Sequence, residues 1–170
     1  MKYDISPQEQ VRMLRKLLLY WDGQWFLKTA EEFGLETAIR MNARVRAAFG
    51  RIEMRTLLRA VGKSQADDLA DALHLLDTYA QTFMGSTLRA HYELSGPNKL
   101  EVRVYNCAAL AGAKMANLER IDQACVACET LWNAWFDTLL PGKPIDVQYP
   151  MRMGKGDPHC HFIITITVSP

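Results

Sequence analysis

Apolar positions along the chain recur at two different periods, and the change from one to the other organises it. Val11, Leu14, Leu17, Leu18 and Trp21 stand at helical spacing. Ser6-Pro7-Gln8-Glu9 before them is a helix start: Ser6 can cap, Pro7 suits the first helical position, and Glu9 can reach back. Asp22-Gly23 interrupts the pattern, so a second helix is predicted from near Gln24, carrying Trp25, Phe26, Ala30 and Phe33 as far as Gly34. Leu35 to Phe49 and Ile52 to Val61 predict two more, separated by Gly50 and closed by Gly62. Ser64 with Asp67 marks another start, and Leu69, Leu73, Leu76, Tyr79 and Phe83 give the buried face that follows.

Beyond this the period falls to two. Leu88 to Leu94 alternates apolar with polar, Ser95-Gly96-Pro97-Asn98 is a turn, and Leu100 to Val104 alternates again, predicting an antiparallel hairpin over 86–106. Asn117 is placed to cap a helix running to about Leu139, which Pro141-Gly142-Lys143-Pro144 ends. Ile145 to Met153 and His159 to Val168 then predict two strands around a glycine turn. The expected fold is α+β, with N-terminal helices packed with a C-terminal antiparallel sheet of about four strands. One domain is expected over 1–170, mainly helical over 1–84 and hairpin-helix-hairpin over 85–170.

Composition narrows the function classes. Hydrophobic residues at 49% and charged residues at 23% suit a folded globule rather than a disordered chain. The net charge of +1, from scattered basic residues, leaves no footprint for nucleic acid or an acidic membrane surface. No apolar run is long enough for a bilayer, and the start Met1-Lys2-Tyr3-Asp4-Ile5 has no signal-peptide core. With four cysteines, this points to a reducing, cytoplasmic setting and free thiols.

Those cysteines carry the candidate chemistry. On the predicted 117–139 helix, Leu118, Ile121, Cys125, Cys128, Trp132 and Trp135 form one stripe, so both cysteines face the buried seam. A pair at i and i+3 can give two thiolates to zinc. Redox chemistry is disfavoured because Cys125 would lie two turns inside the helix, away from the positive dipole end. Plain core packing is the competing reading, since free cysteine behaves as a small buried hydrophobe. Cys160 alternates with Phe162, Ile164 and Ile166 toward the core, while His159 and His161 face the other way. Cys107, at the end of the second strand, is a fourth sulfur or a simple junction residue. Trp21, Trp25 and Phe26 around the first helical break can line a pocket or pack in the core. Glu31 and Glu32 follow them, and no Ser-His-Asp arrangement is recognisable.

The string Trp25-Phe26-Leu27-Lys28-Thr29-Ala30-Glu31-Glu32-Phe33-Gly34-Leu35-Glu36 with Ala38 resembles the N-terminal helical block of the L-2-amino-thiazoline-4-carboxylic acid hydrolase-like family. Cys107 after a strand, Cys125 in the next helix and Cys160 in the terminal strand are similar to the same group. The second half also resembles the vinyl-reductase-type small-molecule-binding domain, some members of which hold zinc through such cysteines and an acidic residue. Where that pattern has another cysteine, this chain has Met151-Arg152-Met153, so zinc would need Cys128, Cys107 or Glu129 beside Cys125 and Cys160. The resemblance implies a small-molecule-binding domain, a hydrolase of cyclic amino acids or related C–N bonds in named members.

The expected site is therefore a cysteine-lined pocket. Cys125 and Cys160 are the candidate catalytic or zinc-binding residues, with Cys128 a third metal ligand. Trp25, Phe26, Cys107, Cys128 and Trp132 line the ligand pocket. The alternative is a non-enzymatic ligand-sensing module, or one that assembles as a homodimer, whose cysteines are structural.

Overall fold

The computed structural model describes residues 3–167. The first two residues, and the predicted end of the last strand at Val168, lie outside them. Two compact units are distinguished, one ending at Ala38 and one beginning at Ile39, a boundary far from the helix-to-sheet change near residue 85. Helix α1 (Pro7–Phe33) opens with the Ser6 side chain accepting the Glu9 N–H at 3.3 Å. It runs unbroken through Asp22-Gly23, because one glycine costs a long helix only about 1 kcal/mol. No described residue of α1 is buried.

Helix α2 (Leu35–Ala60) is likewise continuous, where two helices were expected. Gly50 there serves a close approach rather than a break. A β-carbon on it would lie 2.8 Å from Leu131 Cδ1 and 3.3 Å from Trp135 Cδ1. Helix α3 (Leu69–Tyr79) starts four residues later than Ser64 suggests, because Asp68 caps it by accepting the Asp71 N–H at 2.8 Å. A short π-turn over 80–84 then leads into the sheet.

Strands β1 (Leu88–Leu94), β2 (Lys99–Cys107), β3 (Ile145–Met151) and β4 (Cys160–Ile166) form one antiparallel sheet in the order β1-β2-β4-β3. The fold is α+β as the change of period predicts. Two hairpins meet along the β2–β4 seam, where Leu100 pairs with Ile164, Val102 with Phe162, and Val104 with Cys160. Alternation sends Leu100, Val102, Val104, Phe162 and Ile164 into the core and Glu101, Arg103 and His161 to the opposite face.

The segment between the hairpins differs most from expectation. Helix α4 (Ala108–Met115) follows β2 directly, and Asn117, at φ 50°, sits in the left-handed region at its end instead of capping a new helix. Asparagine tolerates that conformation better than most residues. A single turn, α5 (Ile121–Ala124), and then α6 (Val126–Leu139) replace the one predicted helix. Cys125 occupies the break between them, at the start of α6 rather than two turns inside a helix.

The core of the second unit lies between α6 and the sheet, with Phe136, Leu139, Leu69 and Met54 at its centre. Trp132 stacks on Phe162 with ring centroids 4.6 Å apart. Glu53 on α2 ties three helices together, accepting hydrogen bonds from the Tyr79 hydroxyl and, at 2.8 Å, from the Trp135 indole N–H. Among the described residues no helix is long and apolar enough to cross a membrane.

Candidate functional site

Several elements of the second half send residues to one small cavity. Cys107 comes from the end of β2, Leu110 from α4, Cys125 from the α5–α6 break and Cys128 from the first turn of α6. Strand β3 contributes Tyr149, the β3–β4 connection Arg152 and Met153, and β4 Cys160 and Phe162. The enclosed volume is about 30 Å³. That is room for a water molecule, whereas an apolar cavity that takes up benzene measures about 150 Å³.

The β3–β4 turn fixes one wall. Its Met153 N–H reaches the Cys160 sulfur at 3.4 Å, and the Asp157 carboxylate accepts the Arg152 N–H at 2.7 Å. Gly154 rests directly on α5. A β-carbon there would stand 2.5 Å from Cys125 Sγ and 3.2 Å from the Ile121 carbonyl oxygen. The glycine is thus required by close approach.

Chemically the site is apolar, and three of its sulfurs are held toward the thiol form. Burial pushes the Cys125, Cys128 and Cys160 thiols above their ordinary value. For Cys125 the neighbouring Cys160 adds to this and the Gly154 N–H opposes it; for Cys160 the Met153 N–H opposes it. The helix start at Cys125 therefore does not yield a thiolate near neutral pH, which disfavours a thiolate nucleophile. Among the described residues no group of three or more His, Cys, Asp and Glu side chains is placed to hold a metal ion, so the zinc implied by the resemblance has no three-ligand set there.

Arg152, which sequence reasoning treated only as a missing cysteine, is the charged group on the wall. Its guanidinium pairs with Glu129 and lies over the Tyr149 ring, 5.3 Å from the centroid. Its Nε is buried and has no hydrogen-bond partner among the described residues. The Tyr149 hydroxyl donates to the Glu129 carbonyl at 2.9 Å. Tyr149 was legible from the alternation Ile145, Val147, Tyr149, Met151. Leu110 was not, because α4 was unexpected.

The remaining expected site residues lie elsewhere. Trp132 is buried behind Phe162 and backs the cavity without lining it. On α1, Trp25 is exposed and Phe26 half-buried, and neither belongs to the lining set. His161 is engaged on the far face of the sheet. There Glu101 accepts from Lys99 at 2.7 Å and Arg103 at 3.0 Å and lies 3.0 Å from His161 Nε2, while Arg103 also reaches Glu93 at 3.0 Å. His159 lies beside Tyr105, with ring centroids 5.4 Å apart. A second, open cleft of about 370 Å³ runs between β1 and the π-turn, lined by Asp77, Gln81, Arg89 and Tyr92 among others. Burial and the Asp77 charge push the Tyr92 hydroxyl up to about 12.

No protein-family model matches the chain. No curated protein matches it in sequence. Solved structures do share its fold. The phenol-responsive sensory domain of the transcription activator PoxR, with phenol, superposes with a TM-score of 0.55 at 13% identity, covering 89% of this chain and 74% of that one. The trafficking protein particle complex subunit 3 from Naegleria fowleri, covalently bound to palmitic acid, gives 0.65 at 10% identity over 92% and 97%. The H-NOX domain from Shewanella oneidensis in the Fe(II)CO ligation state gives 0.50 at 16% identity over 86% and 74%. At these identities the likeness is one of fold.

Proposed function

We propose that this chain is a ligand-sensing domain that takes a small, mostly apolar molecule with one hydrogen-bond acceptor into the four-cysteine cavity. The observation that carries this reading is the buried, unpartnered Nε–H of Arg152 on the wall of an otherwise apolar hollow. Such a donor is costly to leave unsatisfied, and an acceptor on a ligand would satisfy it. The fold shared with a phenol sensor and an H-NOX domain supports the class of function. Since the enclosed volume admits only water, a ring-sized ligand enters by displacing the Met153–Gly154 turn from α5. Hydrolysis of a cyclic amino acid, the finer implication of the family resemblance, ranks second. Cys125 and Cys160, held toward the thiol form, give it no ready nucleophile, and no carboxylate lines the cavity.

Phenol is a suitable probe, because Trp132 stacks on the cavity-lining Phe162 and its fluorescence reports occupancy. Saturable quenching with a raised melting temperature is expected. Arg152→Met should weaken binding about tenfold or more, the cost of one buried hydrogen bond. No response to phenol or to a size series of phenols and ketones, or a response insensitive to Arg152→Met and lost in Tyr92→Ala, would sink this assignment. Turnover of thiazoline carboxylates, followed by mass spectrometry and abolished in Cys125→Ser, would favour the hydrolase instead.

A further inference from the structure

Three backbone irregularities meet at one place in the second unit. Helix α3 widens after Tyr79 into the π-turn over 80–84, a rare conformation that recurs at functional sites. Gly85 follows at φ 54° and ψ −137°, a backbone that glycine adopts far more readily than other residues. Strand β1 then carries a bulge between Arg89 and Ala90, a device that re-aims side chains next to sites. All three border the open cleft of about 370 Å³, and every residue lining it belongs to the unit that begins at Ile39. Its volume falls in the range of small-molecule sites, about 300–1,000 Å³.

The side chains there select the charge of an occupant. Asp77, half-buried near the end of α3, has its carboxylate met by a neutral group, the Gln81 side-chain amide at 2.6 Å, and by no cation among the described residues. Arg89 is the lining cation, but its guanidinium is spent over the Tyr105 ring, 5.4 Å from the centroid. Tyr105 alternates with Glu101 and Arg103 toward the outer face of the sheet, so that positive charge is carried away from Asp77. The Tyr92 hydroxyl feels the Asp77 charge, stays protonated, and is hydrogen-bonded by no described residue. It can therefore both donate and accept. Ala80, Leu88 and Ala90 make up the apolar remainder. Among the described residues no group of three His, Cys, Asp or Glu side chains is placed for a metal ion, so the missing cation is organic. An ammonium suits the pair, since it donates three hydrogen bonds from one point.

We propose that this cleft is a second ligand site, for a primary ammonium with a short apolar body, Asp77 taking the charge and Tyr92 accepting a further N–H. It shares no residue with the cysteine cavity, so either site can fail without the other. The probe is 2-phenylethylamine, titrated into the full chain by calorimetry and followed by backbone amide NMR. Saturable binding is expected, with shifts concentrated on residues 77–92. Asp77→Asn keeps an acceptor for Gln81 and removes the charge, and should weaken binding about tenfold or more, the worth of a charge-assisted hydrogen bond. Tyr92→Phe keeps the ring and should cost a few-fold, roughly that of a neutral one. On the unaltered chain 2-phenylethanol should bind about tenfold more weakly than the amine, and phenylacetate more weakly still. That series decides the matter even where a variant, checked by thermal melting, fails to fold. The proposal is overturned by amine affinity undiminished in folded Asp77→Asn, or by phenylacetate binding as tightly as the amine. Shifts confined to the cysteine cavity overturn it too, as does no saturable binding by about 20 mM amine.

Discussion

Gly154 and Cys125 meet so closely that each limits what the other can be. A methyl on Gly154 would come 2.5 Å from the sulfur and 3.2 Å from the Ile121 carbonyl, and neither the backbone nor a half-buried thiol can yield fully. Gly154→Ala should therefore destabilise the protein by about 1–3 kcal/mol, the range for overpacking. Replacing Cys125 by Gly in the same chain should recover part of that loss, because one of the two clashes disappears. Urea unfolding of the single and double variants measures the coupling, and strictly additive effects would show that the contact is not the cause. At this scale the sequence was informative about faces and silent about contacts. Strand alternation puts Cys160 beside Phe162 and Ile164, but nothing in the glycine turn shows which helix it rests against. Arg152 was visible only as a departure from the cysteine pattern of the domain that the second half resembles, since a buried arginine donor depends on tertiary neighbours.

Among the elements, the sheet was the most legible and the short helices the least. Period-two alternation is a local signal that survives into the structure, and it separates Glu101 and His161 from the core without knowledge of pairing. The helix breaks were misplaced because a glycine inside a pattern has two meanings. At Gly50 it admits Leu131 and Trp135, and at Gly23 it is merely tolerated. Conversely, Cys125 interrupts a stripe that reads as continuous, because the stripe spacing persists across the break between α5 and α6. The outer sheet face has its own pH dependence. The Lys99 hydrogen bond, helped by His161, holds the Glu101 carboxyl below its ordinary value of 4.5 against the opposing effect of desolvation. A carboxyl depressed in the folded state contributes stability that is present above its unfolded value and is lost as pH falls through the folded one. Stability should thus decline as pH drops below about 4.5, and Glu101→Gln should flatten that decline in a series of thermal melts. An unchanged slope would remove Glu101 from the account.

At the scale of the whole molecule, the strand order β1-β2-β4-β3 has a kinetic consequence. Each hairpin closes a short stretch of chain, an event of microseconds, whereas the seam must bring Val104 to Cys160 across the entire α4–α6 region. Closing that longer loop costs more entropy before any contact rewards it. The thiols of Cys107 and Cys160 sit at the end of this seam, so they belong to the last part of the chain to be assembled. In refolding interrupted by brief alkylation, single-cysteine versions carrying Cys107 or Cys160 should stay reactive after hairpin structure has formed. They should then lose reactivity together, in the slowest phase. Early protection of either one would mean that the two halves of the sheet meet first and the hairpins follow. The hollow between the sulfurs is thus a late product of folding, open to reagents for longer than any other part of the core.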